Sequence, residues 1–457
     1  MLPQFVNRSN ELKFLEDIYE NRGFNLVILY GRRRIGKTEL IKRFIENKPS
    51  IYILSTDESF NENLKFFKTK FAEFTKKDYF LKLETDSLYD LFKFFVDEIN
   101  GKRCVIAIDE FPYLMSTKKG ILSLFQKTID ELLINTNIFL ILCGSSMSIM
   151  ESDVLGKGTP LYGRNMNSWR LMPLNFKDFA KYFKNPFEVF FVFGNVPYYL
   201  KFYDSKKSLI ENIRLNLLTK GRNLYDEPLI LLRQEFRESR TYRLVLKYIS
   251  FGYKTIGKLC SAVGMDKSNL MKYLSTLEEV GILRHILPLG KKRRGIYEIN
   301  DPLFRFWFKF VYPYRDYLEI NEVDVVEEII ESNLNDYFGV SFEYMIEDLI
   351  KQKIIDELKN FNKVGKWWHK DKEIDIVALN ERTREILFCE CKWQNRVNAE
   401  KICKELVEKG KYVEWQNEKR KESLAIFAKS FSKRINEFEG KKVHCFDLKE
   451  LEKIFKL

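Results

Sequence analysis

Short unbroken apolar runs alternate with helical-period stretches along the first third of the chain. LVILY (26–30), IYIL (51–54), CVIAI (104–108) and IFLILC (138–143) contain no regular polar alternation. Runs of that length fit strands buried on both faces, as in a parallel sheet covered by helices. ELIKRFIEN and the segments 60–75 and 86–99 carry the helical period between them. This part is therefore expected to be α/β. Residues 175–236 keep the helical period without strand alternation. From Tyr242 the pattern becomes helix, short helix, helix: LVLKYISFG, TIGKLCSAVG and DKSNLMKYLSTLEEVG. Asp266 is placed to cap the last of these, and Gly252, Gly264 and Gly281 punctuate them. ILRHILP and GIYEI then read as two strands. The aromatic stretch DPLFRFWFKFVYPYRDYLE (301–319) reads as core or interdomain packing. Residues 316–350 hold eleven acids and no Lys or Arg, which predicts a solvated helical linker, with docking on a basic surface of the same chain as the alternative. Beyond it, DYFGVSFEYMIEDLIKQKI predicts an amphipathic helix. EIDIVAL (373–379) and EILFCECKW (385–393) predict strands of a separate α/β domain.

The turn after LVILY carries the first legible chemistry. GRRRIGKT (31–38) fits G-x-x-x-x-G-K-[ST] between a strand and a helix, the context of a phosphate-binding P-loop. Gly31 and Gly36 let the backbone curl, so that the loop Gly31, Arg32, Arg33, Arg34, Ile35, Gly36 turns its N–H groups toward phosphates. Lys37 is expected to reach the β and γ phosphates, and the Thr38 hydroxyl to hold Mg²⁺. CVIAIDE ends in two acids at a strand's carboxyl end, where parallel sheets bind ligands. Asp109 is the expected Mg²⁺-side carboxylate, and Glu110 the expected base that orients the attacking water. Ser145 or Ser146, after IFLILC, either senses the γ-phosphate or simply ends the strand. Arg164, in LYGRN (161–165), is either an arginine finger or a surface ion pair.

With these elements in order, the first 310 residues resemble the archaeal ATPases of the AAA+/STAND group of P-loop NTPases. The matching elements are FVNRSNEL, GRRRIGKT, CVIAIDEF, ILCGSS, PLYGRN, FGNVPYYL and LLRQEF. The resemblance implies that Phe5 and Arg8, with Glu11, lie beside the adenine. It also implies that Gly194, Pro197, Tyr198 and Leu200 belong to a helical lid, with Asn195 where many relatives have Gly.

Charge separates the middle of the chain from the rest. The whole sequence has 77 Lys and Arg against 65 Asp and Glu, a net of +12. Residues 240–298 alone hold twelve basic residues against four acids. Three helices and a hairpin whose turn is KKRR (291–294) read as a winged helix-turn-helix. Duplex DNA is the expected partner, with Lys267, Asn269 and Lys272 on the recognition helix and Lys291, Lys292, Arg293 and Arg294 on phosphates. A winged helix that packs as a structural or regulatory module is the competing reading.

The final third places an acid on a helix and then Asp375, Glu390 and Lys392 on strands. Strand alternation puts Glu390 and Lys392 on one face and Cys389 and Cys391 on the other. Two carboxylates holding Mg²⁺ beside a Lys that positions water is the arrangement of metal-assisted phosphodiester cleavage. The segment resembles the PD-(D/E)xK nuclease fold at the carboxyl end of the same archaeal ATPases, with GKWW (365–368) before the Asp. The resemblance implies Glu343, Asp375, Glu390 and Lys392 as the site, Asp375 and Glu390 as metal ligands, and a restriction-endonuclease-like fold. Ile374 stands where the pattern has Pro. A degenerate domain kept for binding is the alternative.

Other chemistries recede on composition. There are three His, which excludes a His-rich metal site. Seven Cys without a CxxC read as buried thiols, not a disulfide framework or a zinc site. No amino-terminal apolar region or transmembrane-length run is present, so a cytoplasmic protein with no membrane partner is expected. The expected organisation is an ATPase core (1–172), helical lid (173–236), winged helix-turn-helix (237–312), acidic linker (313–335) and nuclease-like domain (336–457). ATP and Mg²⁺ are the expected cofactors. The expected function is an ATP-binding and ATP-hydrolysing switch acting on DNA, coupled to metal-dependent cleavage. The alternatives are a nucleotide-regulated DNA-binding regulator and a protein-assembly scaffold. Arg164 acts in cis or across a homo-oligomer interface, and both remain open.

Overall fold

The computed structural model describes residues 5–164, 166–291, 293 and 295–455. Lys292 and Arg294 of the basic turn lie outside the described residues. The chain divides into two compact units. One runs through Leu174 and also takes Val196–Lys201, and the other holds Asn175–Asn195 and continues from Phe202.

The first unit is built on five parallel strands. They are β1 (Asn25–Tyr30), β2 (Ser50–Leu54), β3 (Cys104–Asp109), β4 (Ile138–Gly144) and β5 (Met166–Arg170), in spatial order β2-β3-β4-β1-β5. Side chains alternate across the sheet, so each apolar run feeds two cores. Leu26, Ile28, Ile51, Ile53, Ile106, Ile108, Leu140 and Leu142 pack on one face under the helices Phe60–Thr75 and Leu88–Ile99. Val27, Leu29, Val105, Ala107, Phe139, Ile141 and Cys143 pack on the other with the helices Ser9–Glu20 and Lys37–Ile45. Burial on both faces is why these runs show no polar alternation. The order sets β3 between β2 and β4, so residues at the carboxyl ends of all three strands are neighbours.

The second unit begins with short helices and continues into the three helices Ser239–Ser250, Ile256–Val263 and Lys267–Glu279. Asp266 caps the third, accepting from the Asn269 N–H at 3.1 Å. The antiparallel pair β6 (Leu283–Ile286) and β7 (Ile296–Ile299) follows. The acidic segment expected as a linker is not a separate element. It runs without interruption into the helix bearing Glu343, as a single 29-residue helix Val323–Lys351.

A six-stranded mixed sheet closes the chain. Its members are β8 (Lys363–His369), β9 (Lys372–Asn380), β10 (Glu385–Lys392), β12 (Lys421–Ala428), β14 (Glu437–Phe438) and β15 (Lys441–Asp447), ordered β14-β15-β12-β10-β9-β8. A separate ribbon joins β11 (Val397–Asn398) to β13 (Phe431–Lys433). The helix Ala399–Gly410 covers one face through Ala399, Cys403 and Leu406 against Ile386, Phe388 and Leu424. The β6–β7 hairpin is tied to this sheet, where the Leu289 N–H donates to the Lys366 carbonyl at 2.9 Å. All seven cysteines are free thiols.

Candidate functional site

β1 delivers the chain into the glycine-rich turn at Gly31. A Cβ there would stand 2.5 Å from the Leu171 carbonyl oxygen and 2.6 Å from the Ile35 side chain, so the backbone fits only without one. The Lys37 ammonium donates to the Gly31 carbonyl at 2.8 Å and the Arg32 carbonyl at 3.1 Å, folded over the turn it belongs to. Arg8, buried at the start of the first helix, donates to the Ile35 carbonyl at 2.9 Å and pairs with Glu11 at 2.9 Å. Phe5 packs against the apolar cluster that contains Ile35. The structure thus brings Phe5 and Arg8 to the loop itself, with Arg8 as its buttress.

The acidic pair sits beside this loop. The Thr38 hydroxyl donates to Asp109 Oδ2 at 2.7 Å, and the Tyr52 hydroxyl donates to the same oxygen at 2.8 Å. The Glu110 N–H donates to Asp109 Oδ1 at 2.9 Å. Burial, and then the Asp109 carboxylate, push the Tyr52 hydroxyl pKa up, so it remains a proton donor. Glu110 holds a left-handed backbone conformation, φ 51°, as β3 turns into the next helix. Ser145 donates to Glu110 Oε2 at 2.7 Å, and Arg33 Nη1 lies 3.8 Å from Oε1. Arg33 also donates to the Tyr113 hydroxyl at 3.0 Å.

The two other loop arginines reach the Val196–Lys201 segment. Arg32 donates to the Tyr199 hydroxyl at 2.9 Å, and the Arg34 guanidinium lies 4.1 Å from the Tyr198 ring centre. Tyr52, Tyr113 and Tyr199 were not picked out by sequence reasoning. The available signal was a phenol in an otherwise apolar segment, since a buried Tyr hydroxyl needs a partner.

Comparison with known proteins places this geometry. The family described as an ATPase domain predominantly from Archaea matches residues 5–201. Uncharacterized protein MJECL04 of Methanocaldococcus jannaschii is 33% identical over 426 residues, covering 90% of this chain and 92% of that one. The chain belongs to the archaeal P-loop ATPases. A shorter stretch of 44 residues is 64% identical to the uncharacterized ATP-binding protein MJ0423 of the same organism, covering 10% of this chain and 75% of that protein. Among solved structures, the Walker-type ATPase PABY2304 of Pyrococcus abyssi shares the fold at a TM-score of 0.51. It is 21% identical over 67% of this chain and 96% of that one. A second family, described as archaeal and bacterial proteins of unknown function, matches residues 307–402.

Within this archaeal ATPase the donor set beside the loop is hard oxygen from Thr38 and Asp109, which fits Mg²⁺ better than a soft metal. Arg164 stands in an ion pair, Nε to Asp130 Oδ1 at 2.7 Å, and also donates to the Tyr162 carbonyl. Lys267, Asn269 and Lys272 are exposed on their helix, and Asn269 is held by Asp266 at 2.6 Å. Lys291 and Arg293 are exposed, with Lys291 3.9 Å from Glu414.

The carboxyl-terminal sheet gathers the other predicted residues. Glu343 pairs with Lys366 at 2.7 Å. Asp375 Oδ2 accepts from the Cys391 N–H at 2.8 Å. Glu390 pairs with Lys392 at 2.7 Å and Lys409 at 3.3 Å. Burial, reinforced by Glu343 and Glu390, pushes the Asp375 carboxyl up to about 8, so the three acids share one electrostatic environment. Among the described residues, no three His, Cys, Asp or Glu side chains are grouped as ligands of one ion. No helix among the described residues is long and apolar enough to cross a membrane.

Proposed function

We propose that the protein is an ATP-driven switch whose nucleotide cycle controls a DNA-handling module. The observation that carries the nucleotide half is the pairing of Thr38 with Asp109 at 2.7 Å beside a glycine turn that admits no side chain. Thr38 and Asp109 would hold Mg²⁺, which when bound neutralises charge on the phosphates. Lys37 exchanges its two loop carbonyls for phosphate oxygens, and the loop N–H groups of residues 31–36 supply the remaining donors. Glu110, with one carboxylate oxygen fixed by Ser145, accepts a proton from the attacking water. A steady-state assay of ATP hydrolysis in wild type, Lys37→Ala and Glu110→Gln tests this. Nucleotide affinity retained by Lys37→Ala would remove the site from consideration.

The DNA half rests on the three-helix and hairpin module, read as a winged helix, with Lys267, Asn269, Lys272, Lys291 and Arg293 toward DNA. The carboxyl-terminal sheet is read as a PD-(D/E)xK nuclease-like domain with Glu343, Asp375, Glu390 and Lys392 as its site. A specific observation favours the second reading, in which that domain binds without cutting. Both oxygens of Glu390 and one of Glu343 are already engaged by lysines. Incubation with plasmid DNA and Mg²⁺ or Mn²⁺, in every nucleotide state and against Asp375→Ala, separates the two readings.

A further inference from the structure

The helix Glu227–Glu235 turns a corner into the helix Ser239–Ser250, and residues 233–243 across that corner carry four arginines, Arg233, Arg237, Arg240 and Arg243. Aromatic contacts brace the corner. Phe236 stacks on Tyr242 at 3.9 Å between ring centres, and Tyr242 meets the Tyr273 ring edge at 4.9 Å. Tyr273 in turn donates its hydroxyl proton to Glu238. Between the two helices lies a cavity of about 140 Å³ lined by Leu229, Leu232, Arg233, Ser239, Arg240 and Arg243.

None of these four guanidiniums has an ion-pair or hydrogen-bond partner among the described residues. Four other arginines, by contrast, are committed: Arg164 to Asp130, Arg214 to Asp324, Arg315 to Asp226 and Arg434 to Asp447. Three like charges around one cavity repel each other, and an entering anion reverses the sign of that energy. The floor of Leu229 and Leu232 lowers the local dielectric and lines the arginine stems, which strengthens the attraction. The planar guanidinium fork matches phosphate oxygens in pairs. Pockets for whole drug-sized ligands start at roughly 300 Å³, so this one takes a single group projecting from a larger molecule.

We propose that Arg233, Arg240 and Arg243, with the Ser239 hydroxyl, form a phosphate-binding pocket that seats a backbone phosphate of duplex DNA. The source of the phosphate rests on the DNA reading above, whereas the pocket itself does not. It extends the basic surface of the helical module past its first helix, to residues outside the recognition helix and the hairpin.

The test uses the full-length protein and a short fluorescein-labelled duplex, followed by anisotropy across a salt series. In Arg240→Ala/Arg243→Ala, duplex affinity at low salt is expected to fall roughly tenfold or more. The slope of log K against log salt should shrink by about 2, one for each lost phosphate contact. Arg233→Ala, on the other helix, should shrink it by about 1. ATP turnover without DNA and the melting temperature should stay at wild-type values. A duplex affinity and slope that do not move in any of these variants overturns the proposal. If the wild type binds no duplex, the DNA reading fails and the pocket is tested alone. Thermal shift with inorganic pyrophosphate, in a Lys37→Ala background that silences the P-loop, is then the measurement. A shift abolished by Arg240→Ala/Arg243→Ala supports the pocket with a free phosphate as its source. No shift, or one that survives those substitutions, overturns it.

Discussion

The Ser145 hydroxyl donates to Glu110 Oε2 over 2.7 Å, from the residue after β4 to the residue after the adjacent β3. Losing one hydrogen bond to a charged group costs about 1.5–3 kcal/mol. Ser145→Ala is therefore expected to lower kcat for ATP hydrolysis about tenfold or more with KM unchanged, because the phosphate-contacting loop is untouched. Glu110→Gln should lower kcat by about 10²- to 10⁴-fold while nucleotide affinity survives. Steady-state kinetics together with equilibrium nucleotide titration check both.

Gly31→Ala places a methyl group 2.5 Å from the Leu171 carbonyl. Either the loop or β5's continuation must move. Overpacking of this kind costs about 1–3 kcal/mol. The variant should melt at a lower temperature and bind nucleotide at least tenfold more weakly. A variant with wild-type melting and affinity would show that the loop has room the geometry does not display.

The P-loop and the acidic pair were legible because each consists of adjacent residues in one string. Their surroundings were not. Tyr52 meets Asp109 only because β2 lies beside β3, with Leu54 opposite Asp109. Strand order is a property of the assembled sheet, and no local pattern in IYIL encodes it. The same holds for Ser145. It was one of two serines until β4 took its place on the other side of β3. Elements with strong local period were readable to within a few residues: 60–75, 86–99, the three helices after 238 and the hairpin. The boundary placed at 335/336 has no counterpart in the helix Val323–Lys351, since a change from acidic to apolar composition alters a helix's environment without ending it. The contacts of Arg34, Arg32 and Lys366 were not legible, for the opposite reason. Their partners lie at Tyr198, Tyr199 and Glu343, at separations no motif spans.

Tyr199 is fully buried and accepts from Arg32. Tyr199→Phe keeps the ring and removes the acceptor. A loss of about 1–3 kcal/mol in unfolding free energy is expected, read by denaturant titration.

Glu298 on β7 supplies the pH prediction. Burial lifts its carboxyl, but Lys254 at 2.7 Å and the more distant Lys366 outweigh burial and hold it at about 2, against an ordinary 4.5. A carboxyl depressed in the folded state stabilises fully above the unfolded pKa, and that contribution fades as pH falls from about 4.5 to about 2. Glu298→Gln should therefore be less stable than wild type at neutral pH by up to about 3 kcal/mol. The two should converge near pH 2. Urea midpoints measured from pH 7 to pH 2 would show the gap close, and a gap independent of pH would mean that the lysines do not set it.

The uninterrupted helix Val323–Lys351 has a mechanical meaning. At about 1.5 Å per residue its 29 residues make a rod of about 43 Å. Near one end Arg214 grips Asp324 and Glu327, and toward the other Glu343 holds Lys366. A stiff rod cannot absorb a displacement locally, so a push on the Arg214 end arrives at Lys366 as motion of the same lever arm. A flexible tether of equal length would dissipate it.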